Sequence, residues 1–112
     1  MRLDKELAGT FLKREPDGSS LMGVSLAEAD GIMFLCPKCY AANGSSRGTH
    51  RVLCWFRGKV PDTLDPKPGR WTPSGTGLSD LTFIPGAPPM AVSVLLTSGC
   101  GWHGHIVNGD AT

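Results

Sequence analysis

The chain has 112 residues, enough for one domain and too few for two ordinary ones. A hydrophobic share of 40% excludes a disordered tail, and a net charge of +1 argues against the clearly basic face that a nonspecific grip on nucleic acid needs. With 15 glycines and 9 prolines, much of the length must go into turns, so a small core reinforced by a crosslink is expected.

The opening MRLDKELAGTFLKRE mixes charged and apolar residues and never reaches the apolar run of a signal peptide. No later run approaches the length needed to span a bilayer. The expectation is a soluble, cytosolic protein with reduced thiols and no membrane partner. LAGTFLKRE has strand character, and PDGSS after it is a turn. SLAEAD places Ser25 three residues before Glu28, the pattern of a capping box, and predicts a single helical turn. GIMFLCPKC reads as a strand running into a cysteine knuckle, followed by the small polar residues of YAANGSSRGT as a loop.

HRVLCWF is the strongest strand signal in the chain. Residues 60–77, with four prolines, predict a long wandering loop anchored by Trp71. LTFIP is another short strand, and MAVSVLLTSGC a longer one that enters a second knuckle. GHIVNGDAT closes the chain with a strand and an Asn-Gly turn. The predicted fold is mainly β: one small antiparallel domain over 1–112, with a zinc-ribbon-like pair of knuckles, long loops and at most one short helix.

The two knuckles carry the chemistry. Cys36 and Cys39 form a C-x2-C pair, and Cys100 and His103 a C-x2-H pair. Zinc takes four tetrahedral ligands from thiolates and imidazoles, commonly as two such close pairs. Each pair follows an apolar run, and Gly99, Gly101 and Gly104 ease the turn around the second. In a cytosolic chain a close cysteine pair points to metal binding or catalysis ahead of a structural disulfide. A thioredoxin-like redox pair would need its dithiol at a helix start in a βαβ setting. The expected strand-rich context does not supply that.

The expected ligands are therefore Cys36, Cys39, Cys100 and His103, with zinc as the cofactor. His105 and His50 compete for the imidazole position, and the two-residue spacer favours His103. His50 and Cys54 on one extended strand would lie roughly 13 Å apart, at about 3.3 Å per residue. They cannot easily share an ion, so Cys54 is expected to be a buried thiol and His50 a supporting partner.

Taken together, FLCPKC, the RW of Arg70 and Trp71, LTF and CGWHGHIVNGD resemble a family of small uncharacterised Cys/His proteins. These occur mainly in bacteriophages, prophages and bacteria. Cys36, Cys39, Trp71, Pro73, Ser74, Cys100, His103, Asn108 and Gly109 fall on the family's features, over about two thirds of the chain. The first knuckle departs from the pattern, since many relatives carry an extra cysteine there. The resemblance implies a zinc-binding fold of phage or prophage type, cytoplasmic in a host cell or associated with a virion, and no established activity.

A closed set of four protein ligands is structural, whereas a catalytic zinc keeps a position for water. The chain has neither the H-x-E with P-C-x-x-C of zinc deaminases nor a G-x-S-x-G elbow. The reading is non-enzymatic: a protein-interaction module of host-factor or inhibitor type. It presents the loop 60–77 to a host or phage protein through Trp71, Arg70 and Lys67. A virion or assembly component docking on neighbouring subunits is one alternative. A nucleic-acid-binding zinc ribbon, using Arg47, Arg51, Lys59 and Arg70, is the other and is disfavoured by the charge.

Overall fold

Short apolar runs punctuated by turn residues organise the first half of the chain. In the computed structural model, which describes residues 1–97 and 99–112, strands β1 (Thr10–Arg14), β2 (Ser20–Met22), β3 (Gly31–Leu35) and β4 (Arg51–Trp55) form one antiparallel sheet. Its order is β2-β1-β3-β4, so β4 is an edge. Ile32 lies opposite Cys54 and Phe34 opposite Val52, and all four are buried on one face. Phe11 of β1 joins them, paired with Ile32. Gly31 sits under the ring of Trp55, where a Cβ would come within 2.7 Å of the indole. Only glycine lets the two strands close there.

The rest of the chain covers this apolar face. Leu3 and Leu7 from the N-terminal segment, Phe56, Leu81, Phe83, Val94, Trp102 and Ile106 complete the core. Each buried side chain of this size contributes about 1.5–3 kcal/mol over its exposed state. Phe34 meets the edge of Trp102 at 5.9 Å, and Trp71 stacks on Phe83 at 5.7 Å. Three two-stranded ribbons carry Phe83, Val94 and Ile106: β5 (Thr72–Ser74) with β6 (Thr82–Ile84), β7 (Val94–Leu95) with β8 (His103–Gly104), and β9 (Ile106–Val107) with β10 (Asp110–Ala111). The last is closed by Asn108 and Gly109, both at positive φ, the two-residue turn that Asn-Gly favours.

The mainly-β architecture is as expected, with three local differences. The predicted helical turn after Ser25 is a 3-10 turn, Leu26–Glu28, in which the Ser25 hydroxyl bonds the Glu28 carboxylate and caps no backbone amide. The segment expected as a loop after the first knuckle is helix α1 (Pro37–Asn43). Cys36 is its extended N-cap, Pro37 presets the first helical φ, Ala41 and Ala42 favour the interior, and Gly44 ends it at φ 72°. Among the described residues of the run 90–100, strand structure is confined to Val94–Leu95. Its partner β8 is two residues long, and hydrophobicity makes a strand only where a neighbour accepts the backbone.

Candidate metal centre

Four side chains converge where the sheet meets α1. Cys36 ends β3 and caps α1, and Cys39 lies one turn further on. His50 immediately precedes β4, and its carbonyl accepts the Cys36 amide at 2.9 Å, which extends the β3–β4 ladder by one pair. The register therefore sets His50 directly across from Cys36. Cys100 arrives from a turn in which Gly99 and Gly101 both have positive φ (66° and 69°). Lys38 Nζ donates to the Cys100 carbonyl at 2.7 Å and ties that turn to the helix.

The ligating atoms of Cys36, Cys39, His50 and Cys100 all lie within 4.8 Å of one another. Cys36 Sγ and Cys100 Sγ are 3.5 Å apart, and His50 Nε2 is 3.4 Å from Cys100 Sγ. A tetrahedral ion with metal–sulfur bonds of about 2.3 Å needs sulfur–sulfur edges of about 3.8 Å. The cluster thus has the donor set and dimensions to hold a metal ion. His50 Nδ1 is 3.3 Å from the Arg51 carbonyl, which can only accept. In the bare cluster a protonated Nε2 donates to the Cys100 sulfur; with a metal bound, the proton would sit on Nδ1 toward that carbonyl and leave Nε2 to ligate, the usual outer-sphere support of a metal-bound histidine.

The electrostatics of the bare cluster fit the same role. Its interaction with the His50 imidazole, joined by the Trp102 amide, holds the Cys100 thiol down to about 6. Cys39 is pushed up to about 11, first by loss of solvation and then by the sulfurs of Cys100 and Cys36 beside it. Crowded thiols resist ionising together, and a bound cation removes that penalty.

Three of the four expected ligands, Cys36, Cys39 and Cys100, are brought together, but the imidazole is His50 and not His103. His103 is exposed on β8 and stacks against His105 at 6.3 Å, outside the cluster. Alternation explains the difference. Trp102, Gly104 and Ile106 turn into the core, so His103 and His105 must face solvent. A C-x2-H spacing converges on an ion only when the backbone curls, and here it runs straight into a strand. The signal for His50 was present in the register: two antiparallel strands joined through α1 place the residue after one opposite the residue before the other. Cys54 is fully buried, its thiol raised well above the usual range by desolvation alone, and lies outside the cluster.

The loop 60–77 differs in character from the expected presentation surface. Arg70 is buried, and its guanidinium donates to the carbonyls of Pro61, Leu64, Pro66 and Gly69, each at 2.8 Å. It organises the loop from within and is not offered to a partner. Trp71 is half-buried and anchors the loop, as expected, by donating from its indole to the Ser93 carbonyl at 3.1 Å. Trp55 and Trp102 are core residues, and Lys67 stays exposed. Among the described residues no helix is long and apolar enough to cross a membrane.

The chain matches no protein-family model, no curated protein and no solved structure.

Proposed function

We propose that this chain is a zinc-stapled protein-interaction domain that acts by binding rather than catalysis. The observation that carries the reading is the convergence of Cys36, Cys39, His50 and Cys100 from a strand end, a helix, a second strand and a distant turn. Three thiolates and an imidazole are a soft donor set that suits zinc over magnesium or calcium, which prefer oxygen. Four protein donors close the coordination sphere, which favours a structural ion. The site also joins residues 36 and 100, and so clamps the sheet to the segment that carries Trp102. The FLCPKC and CGWHGHIVNGD motifs support a phage or prophage-type protein acting on a host or phage partner.

Elemental analysis of the purified protein tests the zinc. The expected result is one zinc per chain, with a large fall in thermal stability on chelation that added zinc restores. Metal-free protein whose melting is indifferent to added zinc refutes the reading.

A further inference from the structure

Antiparallel ladders leave alternate residues with both backbone groups turned away from the partner strand. On β4 the bonded pairs are fixed by Cys36 N–H to His50 C=O and by Phe56 N–H to Asp30 C=O. The even-numbered residues therefore face β3, and Arg51, Leu53 and Trp55 turn their amides and carbonyls outward. Trp55 C=O is taken by the Trp71 amide, while Leu53 N–H and C=O have no partner among the described residues. On β7 the bond from Leu96 N–H to Trp102 C=O puts the even-numbered residues against β8. Leu95 is left with its backbone groups turned outward, in the same sense as the Ser93 carbonyl that accepts the Trp71 indole.

These two unpaired edges flank one cleft of about 780 Å³, lined by Leu53 and by Leu95. Trp71 bridges the edges at one end, and His50 and Cys100 of the metal cluster close the other. The walls are mostly apolar, and the charged side chains on them are Arg51 and Lys67, with no carboxylate. A solvated sheet edge is common. Two edges facing each other across an apolar, positively charged cleft are a template for a strand.

We propose that an extended, acidic segment of a partner protein docks in this cleft as an added β-strand. It would pair its backbone with Leu53 and Leu95 and place a carboxylate between Arg51 and Lys67. Strand addition draws affinity from main-chain hydrogen bonds and selectivity from alternate side-chain pockets. The proposal deepens the reading of the chain as an interaction domain and does not depend on which metal fills the cluster.

The test pans random linear peptides, long enough for one strand of about 5–6 residues, against the full folded chain of measured metal content. The peptides obtained are then followed by amide exchange. Peptides with alternating apolar residues and an Asp or Glu at a constant position should be enriched, and they should slow exchange at the Leu53 and Leu95 amides. Leu53→Pro removes an outward N–H that the ladder does not use. It should weaken binding about tenfold, the value of one good hydrogen bond. N-methylation of alternate peptide amides should do the same without touching the protein, and Lys67→Glu should abolish the acidic preference. Three results would overturn the proposal: no enrichment, binding that leaves both amides unprotected, or concentration-dependent dimers that protect them without peptide. Zinc-loaded protein that binds no peptide sinks the cleft alone. Protein that binds acidic peptides but is purified metal-free, with melting indifferent to added zinc, sinks the zinc reading alone.

Discussion

Replacing His50 or His103 by alanine separates the register-based ligand set from the spacing-based one. Structural zinc in small peptides binds with about 10–16 kcal/mol, so an equal share for one of four ligands is about 2.5–4 kcal/mol. At 1.4 kcal/mol per decade this is about two to three orders of magnitude in affinity. His50 Nε2 lies 3.4 Å from Cys100 Sγ, whereas His103 is exposed and outside the cluster. His50→Ala should therefore raise the zinc dissociation constant by at least about 100-fold, and His103→Ala should leave it unchanged. At free zinc 100 times the original constant, the ion stabilises the fold by about 2.7 kcal/mol, and after a 100-fold loss by about 0.4 kcal/mol. For a domain of this size the difference lowers the melting temperature by roughly 10 °C. Competition against a chromophoric chelator gives the affinity, and calorimetry at fixed free zinc gives the shift. An unchanged constant for His50→Ala together with a large loss for His103→Ala would refute the assignment.

Three further outcomes follow from the same geometry. Cys54→Ser should cost about 1–3 kcal/mol, because it buries a hydroxyl in an apolar site, and should leave the zinc in place. Cys100→Ser should release it, and the opposite pattern from elemental analysis of the two variants would contradict the site. Arg70→Ala should destabilise by about 2–4 kcal/mol through loss of charge-assisted bonds to loop carbonyls, and Arg70→Lys should not restore the fourfold contact. A denaturation midpoint equal to wild type for either Arg70 variant would show that the guanidinium does not hold the loop. The Asp80 carboxylate accepts the Thr76 amide, the Gly77 amide and the Thr76 hydroxyl, which hold it below the usual aspartate range. Its contribution to stability is present above the unfolded aspartate value and is lost as pH falls through the lower folded midpoint. Carbon-detected titration should find that depressed midpoint; a value at or above the ordinary one would contradict the loop geometry.

Legibility of the fold followed the strength of local pattern. HRVLCWF and GIMFL declare themselves as strands because each is a short apolar run with β-branched residues, too short for a persuasive helix, and Asn108-Gly109 declares its turn because few other pairs suit two positive-φ positions. Helix α1 was obscured because its seven residues are too few to show a helical apolar period. Its evidence is positional instead: Pro37 at the start and Gly44 at the end. The three cysteines of the cluster were legible as candidate ligands, since thiols are scarce in the chain. The histidine was not, because choosing among His50, His103 and His105 needs the strand register and the inward turn of Trp102. Both are properties of the folded sheet. Arg70 misled for a similar reason. A charged residue in a loop reads as exposed, and only the coiled path of residues 61–69 shows four carbonyls aimed at one guanidinium.

The helix start at Cys36 supplies one feature of a redox pair that the expected strand-rich context lacked. A C-P-x-C sequence at a helix N-terminus is a setting in which thiol–disulfide chemistry is common. A redox pair of that kind works because the thiol at the helix start is a stabilised thiolate with its partner close by. Here the stabilised thiolate is Cys100, held down to about 6 by His50, while Cys39 of the C-x2-C pair is pushed up to about 11. The lowered thiol thus belongs to a remote turn tied in by Lys38, and not to Cys39 of the helix pair. A dithiol switch needs two sulfurs and gains nothing from a third and an imidazole packed against them. Four donors within 4.8 Å, drawn from separate elements, have the arrangement that could hold a metal ion, which a dithiol switch does not require. Iodoacetamide reactivity separates the two cases: zinc should suppress alkylation of Cys36, Cys39 and Cys100 together, whereas a redox pair would show one reactive cysteine of the C-x2-C whether or not zinc is present.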